Sequence, residues 1–67
     1  MIIVYSRQGC PKCATLKKKM EMKGIAYDVI EDIDYMMELG IMELPILELE
    51  DGQRYNFKDA IGWVNNQ

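Results

Sequence analysis

The sequence has no histidine and only two cysteines, Cys10 and Cys13, three positions apart. Two cysteines without histidine cannot close a four-ligand zinc site within one chain. The pair is also a poor staple, because a bond across so few residues constrains the unfolded chain little. The apolar run Ile2–Tyr5 is far too short to span a membrane. Met1 leads straight into that run, with no basic stretch before it and no small-residue cleavage site after it. The expectation is therefore a cytoplasmic, reducing setting. There a close cysteine pair points to catalysis or metal binding more than to a permanent crosslink. No linker, repeat or low-complexity segment interrupts the 67 residues, which makes one domain over 1–67.

About half of the residues are hydrophobic, a globular composition. A chain this short buries a thin core and is marginally stable. The net charge of −3 is unevenly spread. Residues 1–24 carry six basic side chains against Glu21 alone, and the remainder carries two against ten acids. The acidic total argues against nucleic acid as a partner. The basic stretch reads first as a solvated helix face, and second as a surface that steers an acidic partner protein.

Residues 2–6, rich in β-branched types, read as a buried strand, and Ser6–Gly9 as a loop. Pro11 suits the first position of a helix, where its missing N–H is no loss. That helix runs to about Lys23, with Gly24 as its C-terminal cap and Cys13, Leu16 and Met20 on one face. Ile25–Ile30 reads as a second strand. Asp32 or Asp34 caps a short helix through Leu39, ended by Gly40. Pro45 opens a strand over Ile46–Glu50, and Asp51-Gly52 signals a two-residue hairpin turn. Gln53–Phe57 then returns antiparallel. Lys58–Asn66 forms a last helix with Ile61 and Val64 inward, weakened at Gly62 by about 1 kcal/mol relative to alanine. The order β-α-β-α-β-β-α gives an α/β domain: a four-stranded mixed sheet with helices on both faces. Its first two strands are parallel and its last two form a hairpin.

The chemistry sits at Cys10-Pro11-Lys12-Cys13. A cysteine at the cap of a helix meets unpaired backbone N–H groups and the positive end of the helix dipole, and both favour thiolate. Lys12 adds a full positive charge if its flexible side chain stays close. A free cysteine is only about 3% thiolate at pH 7, and roughly 2 kcal/mol of differential stabilisation makes about half of it reactive. Cys13 lies one helical turn behind, close enough to attack a mixed disulfide formed at Cys10. The motif follows a strand and opens a helix near the start of a β-α-β pattern, the setting of a redox pair.

With these residues in view, the sequence resembles the glutaredoxin branch of the thioredoxin superfamily. The resemblance rests on Val4-Tyr5-Ser6 leading into Cys10–Cys13, on Glu43-Leu44-Pro45-Ile46 and on the Asp51-Gly52 turn. Within that branch the chain is most similar to the small redoxins that deliver electrons to ribonucleotide reductase. The resemblance implies a thioredoxin fold and a thiol–disulfide oxidoreductase, with Cys10 as nucleophile and Cys13 as resolving thiol. Pro45 would be a cis-proline opposite the cysteines, and the main chain of Leu44 would pair with an extended substrate segment. Arg7 would stand near the thiolate or a ligand carboxylate.

Two departures bear on the electron donor. Glutaredoxins that use glutathione usually carry a hydroxyl residue where this chain has Glu43. They also carry a Gly-Gly turn followed by acids where it has Asn56-Phe57-Lys58-Asp59. Glu43 would repel a glutathione carboxylate, and the missing glycines would block backbone groups that hold it. Asn56-Phe57-Lys58 looks more like the redoxins served by a flavoprotein thioredoxin reductase. The expected system is thus a monomer without bound cofactor or metal. It would be reduced by thioredoxin reductase or by glutathione, the first being favoured, and would act on a disulfide-containing protein. The alternatives are a metal-binding module, which would need a second copy or glutathione to complete its ligands, and a non-enzymatic interaction domain of the same fold.

Met20, Met22, Met36, Met37 and Met42 read as core or gap fillers. Tyr5, Tyr27 and Tyr55 read as packing on the sheet with their hydroxyls reaching water, and Trp63 as a core or edge residue. Asp28 falls on a strand, where burying an acid would be costly, and no role is assigned to it.

Overall fold

The computed structural model describes all 67 residues. The strands are β1 (Ile3–Tyr5), β2 (Asp28–Ile30), β3 (Ile46–Glu48) and β4 (Arg54–Tyr55), and the helices are α1 (Pro11–Met22), α2 (Ile33–Glu38) and α3 (Phe57–Asn65). The sheet order is β2-β1-β3-β4. β1 runs parallel to β2 and antiparallel to β3, and β3 and β4 form the hairpin. Element order, strand directions and the mixed four-stranded sheet agree with the reading of the sequence.

Alternation along the strands sorts the two faces. Val4 and Leu47 are cross-strand partners and join Leu16, Met20, Ala60 and Val64 in a fully buried cluster. That cluster clamps α1 and α3 against one face. Tyr5, Glu48 and Arg54 point to the other. There Arg54 pairs with Glu48 at 2.9 Å and its Nη1 donates to the Leu39 carbonyl at the end of α2, 3.1 Å away. Met36 is the buried residue of α2.

The starts of β2 and α3, the end of β4 and the length of the hairpin loop differ from expectation, the first three through helix capping. β2 starts at Asp28 rather than Ile25. Gly24 (φ +70°) follows α1, and the N–H groups of Gly24 and Ile25 bond back to Glu21 and Met20 at 3.1 and 2.9 Å. This is a Schellman termination, and it removes Ile25 from the ladder. α3 starts at Phe57 rather than Lys58, because the Asn56 side chain caps it by accepting from Asp59 N at 2.9 Å. β4 accordingly stops at Tyr55. The hairpin loop has three residues, Glu50–Gly52, rather than two. Leu49 N donates to the Gln53 carbonyl at 2.8 Å, Gly52 N donates to the Leu49 carbonyl at 2.9 Å, and Gly52 takes φ +90°. Asp32 is the cap of α2, its side chain accepting from Tyr35 N at 3.1 Å.

Tyr27 and Tyr55 reach exposed hydrogen bonds with Glu21 and Gln53. Tyr5 does not reach water: it is fully buried, and burial first, then the nearby Glu48 carboxylate, raises its phenol above the ordinary value. The methionines divide. Met20 and Met36 fill the core, whereas Met22, Met37 and Met42 are exposed. Asp28 is exposed and carries no desolvation cost. Ser6, next after β1, is the buried polar residue; its N–H continues the ladder to the Ile30 carbonyl at 3.0 Å, and its hydroxyl has no partner. No helix is long and apolar enough to cross a membrane.

Candidate active site

β1 delivers the chain to a short loop, and Gly9 (φ +74°) turns it so that Cys10 becomes the N-cap of α1. Cys10 keeps extended backbone angles while its carbonyl accepts the first helical bond from Ala14 N at 3.1 Å. Its sulfur accepts from the Cys13 N–H at 3.2 Å, the place an oxygen takes in an ordinary helix cap. Pro11 occupies the first helical turn, where its lack of an N–H costs nothing. A sulfur held there faces the positive end of α1 and one directed N–H donor, so negative charge on it is stabilised by fixed dipoles.

Cys13 lies one turn on, with a Cα–Cα separation of 5.2 Å, and the two cysteines are joined as a disulfide. Their environments differ sharply. Cys10 is half-buried, and Cys13 is 1% exposed beneath the first turn of α1. Cys10 is thus the more accessible of the two cysteines.

The Leu44–Pro45 peptide bond is cis. Pro45 is buried, Leu44 half-buried and Glu43 exposed. Two grooves flank this segment. One is polar and is lined by Lys12, Glu43, Pro45, Asn56, Phe57 and Lys58 together with Leu44. The other is lined by Arg7, Cys10, Ile33, Met42, Glu43 and Leu44. Glu43 and Leu44 belong to both. The structure thus brings Arg7 and Cys10 together on one side, and Lys12, Asn56 and Phe57 on the other. Lys12 places its ammonium 5.7 Å from the centre of the Phe57 ring. Asp59 lies exposed in the first turn of α3, with its N–H engaged by the Asn56 side chain, and does not line either groove.

The polar groove includes Lys58, and the second includes Ile33 and Met42, none of which the sequence singled out for the site. Ile33 and Met42 come from α2 and the irregular segment after it. Nothing in local pattern marks an exposed apolar side chain there as belonging to Cys10's surroundings.

The glutaredoxin family model matches residues 2–52, more than half of the chain and inclusive of both cysteines, the cis-proline segment and the hairpin turn. The chain belongs to the glutaredoxin family. The matched stretch spans the Cys10–Cys13 pair, which supports thiol–disulfide oxidoreductase chemistry at a general level. Comparison with curated proteins gives no match. Among solved structures, the chain is similar to a glutathione S-transferase from Xanthobacter autotrophicus Py2, with a TM-score of 0.75 and 14% identity. That likeness covers 96% of this chain and 36% of the transferase, so the chain spans little more than a third of that protein. It shows a shared thioredoxin-like fold.

Proposed function

We propose that this chain is a dithiol electron carrier that reduces disulfides of a partner protein and is itself reduced by a flavoprotein thioredoxin reductase. The observation that carries the reading is the asymmetry of the pair. Cys10 sulfur sits at the start of α1 and accepts an N–H bond, while Cys13 is buried one turn behind it.

The cycle follows. The Cys10 thiolate attacks one sulfur of the substrate disulfide, forming a mixed disulfide and releasing a substrate thiolate, which takes a proton. Cys13 then loses its proton to the leaving thiolate and attacks Cys10 sulfur. The Cys10–Cys13 bond forms and the second substrate thiol departs. Two electrons have passed from the dithiol to the substrate, and the reductase returns two from NADPH. The attack is favoured by a nucleophile whose thiolate is populated near ambient pH without being stabilised so far that it loses reactivity.

Glu43 supports thioredoxin reductase over glutathione as donor, because this exposed acid lines both grooves next to Leu44. A ligand carboxylate there meets Glu43 but also Lys12 and Lys58 in one groove and Arg7 in the other, so the choice of donor leans as well on Asn56-Phe57-Lys58-Asp59 standing in place of a glycine turn. Resemblance to the redoxins that serve ribonucleotide reductase supports that enzyme as the acceptor, and a reducing cytoplasm as the setting. The test is an NADPH-coupled assay with a protein disulfide as acceptor, run in parallel with thioredoxin reductase and with glutathione plus its reductase. Turnover at least about tenfold faster with thioredoxin reductase is expected. Faster turnover with glutathione overturns the choice of donor, and no turnover with either overturns the reading.

A further inference from the structure

The two grooves beside Cys10 differ in kind, and that difference bears on which disulfides the protein meets. On the α3 side the walls carry Lys12, Lys58, Asn56 and Glu43. On the α2 side the groove of about 320 Å³ that holds Cys10 shares Ile33, Met42, Glu43 and Leu44 with a smaller one that continues along α2 to Met37. The two form one trough running from the attacking sulfur to the exposed side of α2. Its apolar walls are open to water: Ile33 is 49% exposed, Met37 67% and Met42 92%.

Large apolar side chains gathered on an exposed surface mark interaction sites. Methionine suits a wall that must fit more than one shape, because its unbranched thioether repacks easily. The trough also reaches Cys10, the residue a substrate disulfide must meet, and Leu44 beside the cis peptide bond. A segment that brings its cysteine to Cys10 along this trough lays a neighbouring residue over Ile33 and Met42.

We infer that this trough is a specificity surface for protein disulfides in which a large apolar residue lies next to the attacked cysteine. The inference rests on the oxidoreductase reading above and deepens it by naming the substrate class. The partner is an extended segment of a disulfide-bearing protein, with its apolar side chain seated between Ile33, Met37 and Met42. A substrate with a small polar residue at that place leaves the walls wet and gains nothing from them.

The test uses the pre-reduced full chain and three probes under single turnover at neutral pH. They are bis(2-hydroxyethyl) disulfide, a short peptide disulfide with leucine beside each cysteine, and the same peptide with serine there. The leucine peptide should react about tenfold faster than the serine peptide or more, the scale on which apolar pockets discriminate. In a Met37→Gln, Met42→Gln double variant, altered at two exposed positions, the ratio should fall to within about twofold of unity. Equal rates for the two peptides with the unaltered protein, or a ratio that survives in the double variant, overturn the inference. Failure to react with all three disulfides, the hydroxyethyl probe included, overturns the oxidoreductase reading and this inference with it.

Discussion

Lys12 holds its ammonium 5.7 Å from the centre of the Phe57 ring, tying the middle of the redox motif to the first turn of α3. The sequence placed a full positive charge beside Cys10 on condition that the side chain stayed close. The structure gives that charge another partner, an aromatic face worth about 0.5–1 kcal/mol at an exposed site. The start of α1 is then left as the main support for a Cys10 thiolate. We predict that Lys12→Gln shifts the pH midpoint of Cys10 alkylation by less than about half a unit. A shift of about one unit or more, roughly 1.4 kcal/mol, would show that Lys12 leaves Phe57 for the sulfur.

Glu43 stands where both grooves meet. If its charge is what turns glutathione away, Glu43→Thr should raise the rate with glutathione as donor severalfold and leave fold stability nearly unchanged, since the residue is exposed. Coupled NADPH consumption with glutathione reductase measures this. An unchanged rate would place the barrier in the missing glycine turn before α3 instead.

Gly62 lies exposed within α3, and a Cβ added there meets nothing within 4 Å. Gly62→Ala should therefore stabilise the chain by about 0.5–1 kcal/mol through backbone entropy alone. Urea denaturation reads this directly. A loss of stability would mean that α3 bends or opens at Gly62 in solution.

Burial, then Glu48, raises the Tyr5 phenol above its ordinary value of 10.0, and burial, then Glu21, does the same for Tyr27. Both groups bind their protons more tightly folded than unfolded. The stability they contribute is complete below about pH 10 and is lost as pH climbs through their folded-state values. The urea midpoint should fall across that alkaline range, and fall less steeply in Tyr5→Phe. A variant with the same alkaline slope as the parent would contradict the buried placement of Tyr5.

Much of this arrangement was legible in the residues. Pro11 after Cys10, Gly24 and Gly40 after the helices, and the apolar runs around Val4 and Leu47 act locally, so they fix element order without tertiary information. Cys13, Leu16 and Met20 were expected on one face of α1 and are its buried residues. The misplaced starts of β2 and α3 have one cause: Ile25 and Asn56 are committed to caps, which compete with strand pairing for the same backbone groups. What the sequence could not convey is long-range assembly. Met42 is indistinguishable by pattern from the core methionines Met20 and Met36, and only the fold brings it, with Ile33, to the rim of Cys10. Asp59 sat in a suggestive stretch but lines neither groove; it lies exposed in the first turn of α3.

The most direct measurement is the rate of iodoacetamide alkylation of the reduced chain against pH, read residue by residue by mass spectrometry. Cys10 should react with a midpoint clearly below that of a free cysteine, about 8.5, while Cys13 remains largely unmodified, and Cys13→Ser should accumulate a mixed disulfide at Cys10. Equal, alkaline reactivity of both thiols, with no mixed disulfide trapped, would contradict the account.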